Sequence, residues 1–236
     1  MRPTSPIEFV ARDGDQSRKR TRNENQPALL ANISVADSSP ITKAWDLAKD
    51  RSDPYLFNHS VRSWLFAVQI AQRMEQIFDE EVVAIGCLLH DIGLTKGFDG
   101  PNRFEVEGAN AARSFVRELG FDDRRAQLVW DSVALNSTPS IGLHKENEVA
   151  LCTVGIGLDF AGRGYEHIPA ETASSILGAF PRLAMKHEFT KCIFHLVRTR
   201  PETTYDNFTR DFGERFVPGY SAVSVVDLLM NSPFEE

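Results

Sequence analysis

The chain has 236 residues, of which 42% are hydrophobic and 25% are charged, so it is long enough to form a globular domain with an ordinary core. Its formal net charge of -7 argues against a nucleic-acid scaffold, because such proteins usually carry a basic excess. No apolar run approaches the roughly 20 residues that span a bilayer, and the first residues lack the apolar core of a secretory signal.

The three cysteines, Cys87, Cys152 and Cys192, are widely spaced and each has apolar neighbours. This pattern predicts buried free thiols in a reducing compartment. We therefore expect a cytoplasmic protein, with the nucleus as an alternative location. We expect a small-molecule substrate and no nucleic-acid or membrane partner, and leave homo-oligomerisation open.

The first 38 residues are polar and show no sustained periodicity, so residues 1–38 are predicted to be a disordered extension. Within them, residues 18–22 (RKRTR) form a basic cluster. Such a cluster is typical of a nuclear localisation signal or a polyanion-binding patch, but also of an ordinary solvated tail.

Beyond residue 38, apolar residues recur at three- and four-residue steps, and no segment shows convincing β-alternation. Ser38 followed by Pro40 is typical of a helix start. The predicted helices cover residues 41–49, 54–78, 82–91, 103–119, 123–136, 146–160, 171–179, 184–199, 205–215 and 221–230. The predicted fold class is all-α, with a single domain at residues 39–236 built as a bundle of helices.

The most informative feature is His90-Asp91, which ends the apolar helix predicted at residues 82–91. Burying an imidazole and a carboxylate together is costly unless each has a partner, and a divalent metal ion would satisfy both. His59 lies near the start of an earlier apolar helix, and Asp159 lies inside a later apolar run.

Two imidazoles and two carboxylates suit a divalent ion such as zinc, iron or manganese, with one position open for water. Taken singly, each residue also has an ordinary structural interpretation. A helical histidine is often a hydrogen-bonded core residue, and a buried aspartate is often a cap or one half of an ion pair.

The segments NHSVR (58–62) and LLHDIG (88–93), together with Asp159, resemble the HD-domain metal-dependent hydrolase superfamily. Further segments resemble its cyanamide hydratase-like branch, namely RFEVEGA (103–109), TPSI (138–141), HKE (144–146) and GLD (157–159). The resemblance covers roughly residues 40–230. It implies an HD-domain fold, with His59, His90, Asp91 and Asp159 as metal ligands.

Binuclear HD phosphohydrolases need extra histidines between the HD pair and the final aspartate, and only His144 lies in that interval here. The resemblance therefore favours one divalent ion, with Zn²⁺ preferred and Fe²⁺ or Mn²⁺ as alternatives. It implies a hydro-lyase in which metal-activated water adds to a small nitrile-like carbon, as in the conversion of cyanamide to urea. The alternative is an HD-type phosphohydrolase acting on a nucleotide or another small phosphoester.

Four further residues are candidates for the catalytic machinery. Glu105, early in a predicted helix, would orient water or move a proton, although it also suits the helix dipole. Asn58 would orient His59 or bind substrate. Lys96, in the loop after the HD pair, would contact a polar or anionic substrate. Each residue also has an ordinary interpretation as an exposed polar or charged side chain.

Asn136 is a departure from the cyanamide hydratase pattern, in which the corresponding helix tends to carry a histidine. An asparagine can form hydrogen bonds but cannot carry a proton near pH 7, so activity on cyanamide itself is left open. The late phenylalanines are expected to be core residues, with one or two lining a pocket: Phe189, Phe194, Phe208, Phe212 and Phe216.

Overall fold

The computed structural model describes residues 28–98 and 100–234, and its regular structure is helical apart from one short hairpin. The two strands are β1 (Ala28–Leu30) and β2 (Ile33–Val35). The helices are α1 (Ser39–Arg51), α2 (Pro54–Arg73), α3 (Glu80–Leu89), α4 (Phe104–Glu118), α5 (Asp123–Ala134), α6 (Pro139–Gly142), α7 (Asn147–Ala161), α8 (Ala170–Ala179), α9 (Met185–Thr199), α10 (Thr209–Phe216) and α11 (Val225–Met230). The all-α prediction is confirmed. Within the described ranges, none of these helices has the length and apolarity needed to cross a membrane.

The hairpin corrects the predicted extent of the disordered extension. Residues 28–35 form paired strands, with Leu30 opposite Ile33, and both side chains are buried in the core. Ala31 and Asn32 form the turn with positive φ angles of 49° and 65°, which suits a two-residue hairpin loop. Sequence patterning missed the strands because each has only three residues. Residues 1–27, including the basic cluster, lie outside the described part of the chain.

Several predicted helix boundaries also differ from the structure. Helix α2 ends at Arg73 rather than near residue 78, because Glu75 adopts a positive φ of 51° that a helix cannot continue through. The helices predicted at 205–215 and 221–230 begin later, at Thr209 and Val225. Helix α3 ends at Leu89 rather than at residue 91, so His90 and Asp91 directly follow the helix that was predicted to carry them, while His59 and Asp159 lie on helices as predicted.

Helix α3 lies at the centre of the bundle and packs against α1, α2, α5 and α7. Its N-terminus is capped by Asp79, whose Oδ1 accepts hydrogen bonds from the backbone N–H groups of Glu81 and Val82, each at 3.1 Å. Every residue from Val82 to Leu89 is buried, as a helix that is apolar on all sides requires. The central position of α3 therefore places His90, which directly follows its last residue, in the interior.

Helices α2 and α7 form the most extensive helix pair, and Gly155 allows their close approach. A Cβ at Gly155 would collide with the backbone oxygen of Ser63 on α2. Residues four apart lie on the same helix face, so this contact brings Asp159 of α7 beside His59 of α2.

Gly93 allows a similarly close approach between the segment after α3 and the start of α4. It lies in a 3-10 turn at Ile92–Leu94, directly after Asp91, and a Cβ there would collide with the backbone oxygen of Phe104. The close approach brings the first turn of α4, with Glu105, beside the segment that carries His90 and Asp91.

Candidate metal centre

Three buried side chains converge where the end of α3 meets the first half of α2. His59 lies in α2, His90 directly follows α3, and Asp91 precedes the 3-10 turn. Their exposed fractions are 1%, 1% and 4%. Among the described residues, they form the one group of three or more histidine, cysteine or acidic side chains whose ligand atoms lie close enough to hold a metal ion.

The three ligand atoms have the spacing that a metal ion requires. His59 Nε2 lies 3.2 Å from His90 Nε2 and 3.8 Å from Asp91 Oδ2, and His90 Nε2 lies 3.1 Å from Asp91 Oδ2. Ligand atoms about 2.0–2.2 Å from a tetrahedral ion lie roughly 3.3–3.6 Å apart, and each observed distance is within about 0.2 Å of that range. Asp91 Oδ2 is also buried without a hydrogen-bond partner in the described structure, as expected of an atom that serves a cation.

Both imidazoles are oriented through their other ring nitrogen. His59 Nδ1 lies 2.6 Å from Asp159 Oδ2, and His90 Nδ1 lies 2.8 Å from the backbone oxygen of Cys87. A carbonyl oxygen can only accept a hydrogen bond, as can an ionised carboxylate, so we assign the proton of each ring to Nδ1. Each Nε2 lone pair then faces the other ligand atoms, an arrangement that usually supports metal-bound histidines.

The structure does not place Asp159 among the converging ligand atoms, which differs from the predicted set of four. Its carboxylate receives hydrogen bonds from the buried Arg62, through Nε to Oδ1 at 2.6 Å and through Nη2 to Oδ2 at 2.8 Å. Arg182 Nη1 adds a bond to the Asp159 backbone oxygen at 2.8 Å. His59 Nδ1 also bonds to Oδ2, so both carboxylate oxygens accept hydrogen bonds. Asp159 therefore orients the His59 ring through Nδ1, while Nε2 faces the other ligand atoms.

The pKa values of these groups follow from burial and from their neighbours. Burial lowers the pKa of His59, although Asp159 opposes this effect. Burial also disfavours the charged form of His90, but the Asp91 carboxylate outweighs it and raises the pKa of His90.

Burial opposes the ionisation of both carboxyl groups, but their neighbours outweigh this effect and lower both pKa values. The two histidines lower the pKa of Asp91, and hydrogen bonds from His59 and Arg62 hold the pKa of Asp159 well below its usual range. These directions favour a neutral His59 and an ionised Asp91, which are the protonation states that metal binding requires.

Beside the ligand atoms lies a cavity of about 340 Å³. His59, His90 and Asp91 line one part of it, and its other polar lining residues are Asn136, Ser137, Thr153 and Arg163. The apolar lining includes Pro139, Leu143, Ile156, Phe160, Phe189 and Phe208. Two of the late phenylalanines therefore line the pocket, as the sequence suggested.

Among the predicted catalytic residues, Asn136 reaches the cavity and Glu105 lies behind its wall. Asn136 Nδ2 donates to the backbone oxygen of His90 at 3.1 Å, so it supports the metal-binding segment. Glu105 is fully buried and accepts hydrogen bonds at Oε1 from Ser137 Oγ at 2.6 Å and from Arg103 Nη2 at 2.9 Å. Ser137 therefore connects Glu105 to the cavity.

The structure does not bring Asn58 or Lys96 to the cavity. Asn58 Nδ2 donates to the backbone oxygen of Pro181 at 2.8 Å and so ties α2 to the loop before α9. Lys96 lines a separate pocket with His195 and Arg200. Neither side chain is among the lining residues of this cavity, and the catalytic roles expected for them stay predictions.

Sequence reasoning missed Arg62 and Ser137 as members of this site. Arg62 follows His59 by three residues, so it shares the same helix face, and that spacing was an available signal. Ser137 follows Asn136 directly but stands in a stretch where a serine is unremarkable. The hydrogen bond of Ser137 to Glu105 joins residues 32 positions apart and has no local signal.

Residues 56–169 match the family model of the HD domain. The matched stretch includes all four predicted metal ligands and ends before Phe189 and Phe208. The match is to the HD domain in general and does not distinguish its branches. No curated protein matches the sequence.

Proposed function

We propose that this chain, in which residues 56–169 form an HD domain, is a metal-dependent hydratase that adds water to a small nitrile-like carbon. An HD domain implies a metal-dependent enzyme, typically a hydrolase. Conversion of cyanamide to urea is the reference reaction for the hydratase. The proposal rests on one observation: a compact group of potential metal ligands lies beside a cavity whose lining is largely apolar and carries few charges.

In this proposal His59, His90 and Asp91 hold one divalent ion, with Zn²⁺ preferred and Fe²⁺ or Mn²⁺ as alternatives. Such an ion lowers the pKa of bound water towards neutrality and so supplies a nucleophile at pH 7. Asp159 keeps His59 in the orientation and tautomer that binding requires. The resemblance implied that Asp159 binds the ion directly. To do so, the Asp159 carboxylate would have to give up a hydrogen bond that it accepts from His59 or Arg62.

The walls of the cavity suit an uncharged substrate. Arg163, which is exposed, is the single cationic side chain among the lining residues that the structure describes. The buried Arg62 is occupied by Asp159, and Arg103 by Glu105 and Asp206. Phosphate recognition usually uses several convergent cations, whereas a nitrile needs none.

Glu105 and Ser137 provide a route for the proton that hydration must move. Water loses a proton as it adds to the carbon, and the nitrogen must then gain one. We assign the first transfer to Ser137 Oγ, which accepts the proton of the water and passes its own proton to Glu105 Oε1. In the second transfer, Glu105 returns a proton to Ser137 Oγ, and Ser137 donates its own proton to the substrate nitrogen. The 2.6 Å hydrogen bond between these two atoms supports the assignment.

Phosphohydrolysis is the second candidate, because hydrolysis is the typical reaction of an HD domain. Arg163 would be the phosphate-binding residue in that case. A single exposed arginine gives this alternative less support than the apolar walls give to hydration.

The two functions are separated by offering the purified, metal-loaded protein cyanamide, simple nitriles, isonitriles and a panel of nucleotides. The proposal predicts urea or an amide product that disappears after chelation and returns when metal is added back. Phosphate release without any hydration product would overturn it in favour of the phosphohydrolase.

A further inference from the structure

We infer that the substrate carries a flat apolar group, such as an aromatic ring, beside its carbon–nitrogen multiple bond. The class of substrate is therefore an aryl or arylalkyl nitrile rather than cyanamide. This inference rests on the proposed hydratase function and deepens it by assigning the part of the cavity that the ligands do not use.

The cavity is much larger than cyanamide. The cavity of about 340 Å³ would hold roughly eleven water molecules at about 30 Å³ each. Cyanamide has only three non-hydrogen atoms and would leave most of that space to water lying against apolar walls. A substrate of about ten non-hydrogen atoms would fill it.

Three phenylalanine rings lie together in the wall of the cavity. The ring centroid of Phe160 lies 5.3 Å from that of Phe189 and 6.2 Å from that of Phe208. Phe189 and Phe208 are nearly parallel, at 21° and 6.3 Å. These separations are in the range of favourable aromatic contacts, so a further ring can join the group.

This aromatic wall lies next to the ligand atoms. The ring of Phe160 lies 6.5 Å from that of His59, and Phe160 follows Asp159 in the chain. A substrate whose nitrile carbon lies at the ligand atoms therefore has its neighbouring group beside Phe160. Phe160 remains 42% exposed, so it has apolar surface for an occupant to cover.

The aromatic wall is not a consequence of the HD-domain match. Phe189 lies in α9 and Phe208 precedes α10, and both are beyond residue 169, where the match ends. The C-terminal part of this chain therefore supplies the surface that selects the substrate, while the HD domain supplies the ligands.

The test compares phenylacetonitrile with acetonitrile on the metal-loaded full chain. Burying the phenyl group should raise kcat/KM by about 100-fold over acetonitrile. Replacing Phe208→Ala or Phe160→Ala should reduce that ratio by about tenfold or more. Phe194→Ala, a phenylalanine of α9 that lies outside the cavity lining, is the matched control and should keep the ratio.

Binding of the product amides gives a readout that does not depend on turnover. Calorimetry should show phenylacetamide binding at least tenfold more tightly than acetamide, and Phe208→Ala should remove the difference. Circular dichroism checks that each variant is folded, and the exposed Phe160 provides a second variant if Phe208→Ala fails to fold.

The outcomes separate this inference from the function it rests on. If acetonitrile or cyanamide is hydrated while phenylacetonitrile is not and phenylacetamide does not bind, the inference is overturned and the hydratase stands. If no nitrile is hydrated but phenylacetamide binds in a Phe208-dependent way, the hydratase is overturned and the aromatic site stands. Equal ratios in all variants would overturn the assignment to this wall.

Discussion

At one end of the cavity, the side chains of His59, His90 and Asp91 are almost completely buried, and both histidines are oriented by hydrogen bonds at Nδ1. At the other end, Phe160 is 42% exposed. The first region comes from α2, α3 and α7, and the second mainly from α7, α9 and the residues before α10. In the proposed function this difference is a division of labour: the buried polar contacts hold the ligands, and the more exposed apolar surface selects the substrate. The following predictions test that division.

The largest effect is expected for His90→Ala. Removing one of three ligands should abolish metal binding and reduce turnover by at least about 1,000-fold. Metal content by mass spectrometry and turnover should fall together. His144→Ala removes an exposed histidine outside the cavity lining and is the matched control. Full activity of the His90→Ala protein would contradict the metal site.

Replacing Arg62→Leu should have the next largest effect, and it should appear in stability. Arg62 is fully buried and bonds Asp159 through two nitrogen atoms, so its loss leaves a buried carboxylate with one partner fewer. Breaking such a pair costs about 3–5 kcal/mol, to be measured by urea denaturation. The exposed Arg117→Leu, which removes an ion pair with Asp123, should cost well under about 1 kcal/mol. Equal losses would mean that the Arg62–Asp159 pair stabilises the fold no more than a surface ion pair does.

Asp159→Asn tests whether this carboxylate supports a ligand or is one. An asparagine keeps the size of the side chain but weakens the bond to His59 Nδ1, so metal affinity should fall by about 10–100-fold with one ion still bound. Metal titration against a chromophoric chelator measures this. Loss of binding as complete as in His90→Ala would instead show that Asp159 binds the metal directly.

The smallest effect is expected for Ser137→Ala, which interrupts the path between the cavity and Glu105. We expect kcat to fall by about 10–100-fold while KM and metal content change little, because Ser137 moves a proton and holds no ligand. Ser140→Ala, at an exposed position in α6, is the control. A change in KM alone would assign Ser137 to substrate binding.

The same division explains what could be predicted from the sequence. The ligand end was accessible because its signals are local: His90-Asp91 closes an apolar helix, and His59 lies in another. The orientation of Asp159 was not accessible, since it depends on the close approach of α7 to α2 at Gly155 and on Arg182 from a distant loop.

The aromatic wall had even less local signal. Phenylalanines at residues 160, 189 and 208 meet only after α7, α9 and the start of α10 have packed, and isolated aromatic residues are most often ordinary core. The hairpin at residues 28–35 was missed for a different reason. Its strands are too short for period-two alternation to be recognised, although Asn32 at its turn was a usable signal.

The central claim is that metal-activated water adds to a carbon–nitrogen multiple bond in this cavity. Its most direct test is to incubate the metal-loaded protein with phenylacetonitrile and with cyanamide in ¹⁸O-labelled water and to analyse the products by mass spectrometry. The account predicts an amide or urea that carries one ¹⁸O atom and is absent from chelated protein. Phosphate release from nucleotides, with no labelled amide or urea from either compound, would contradict it.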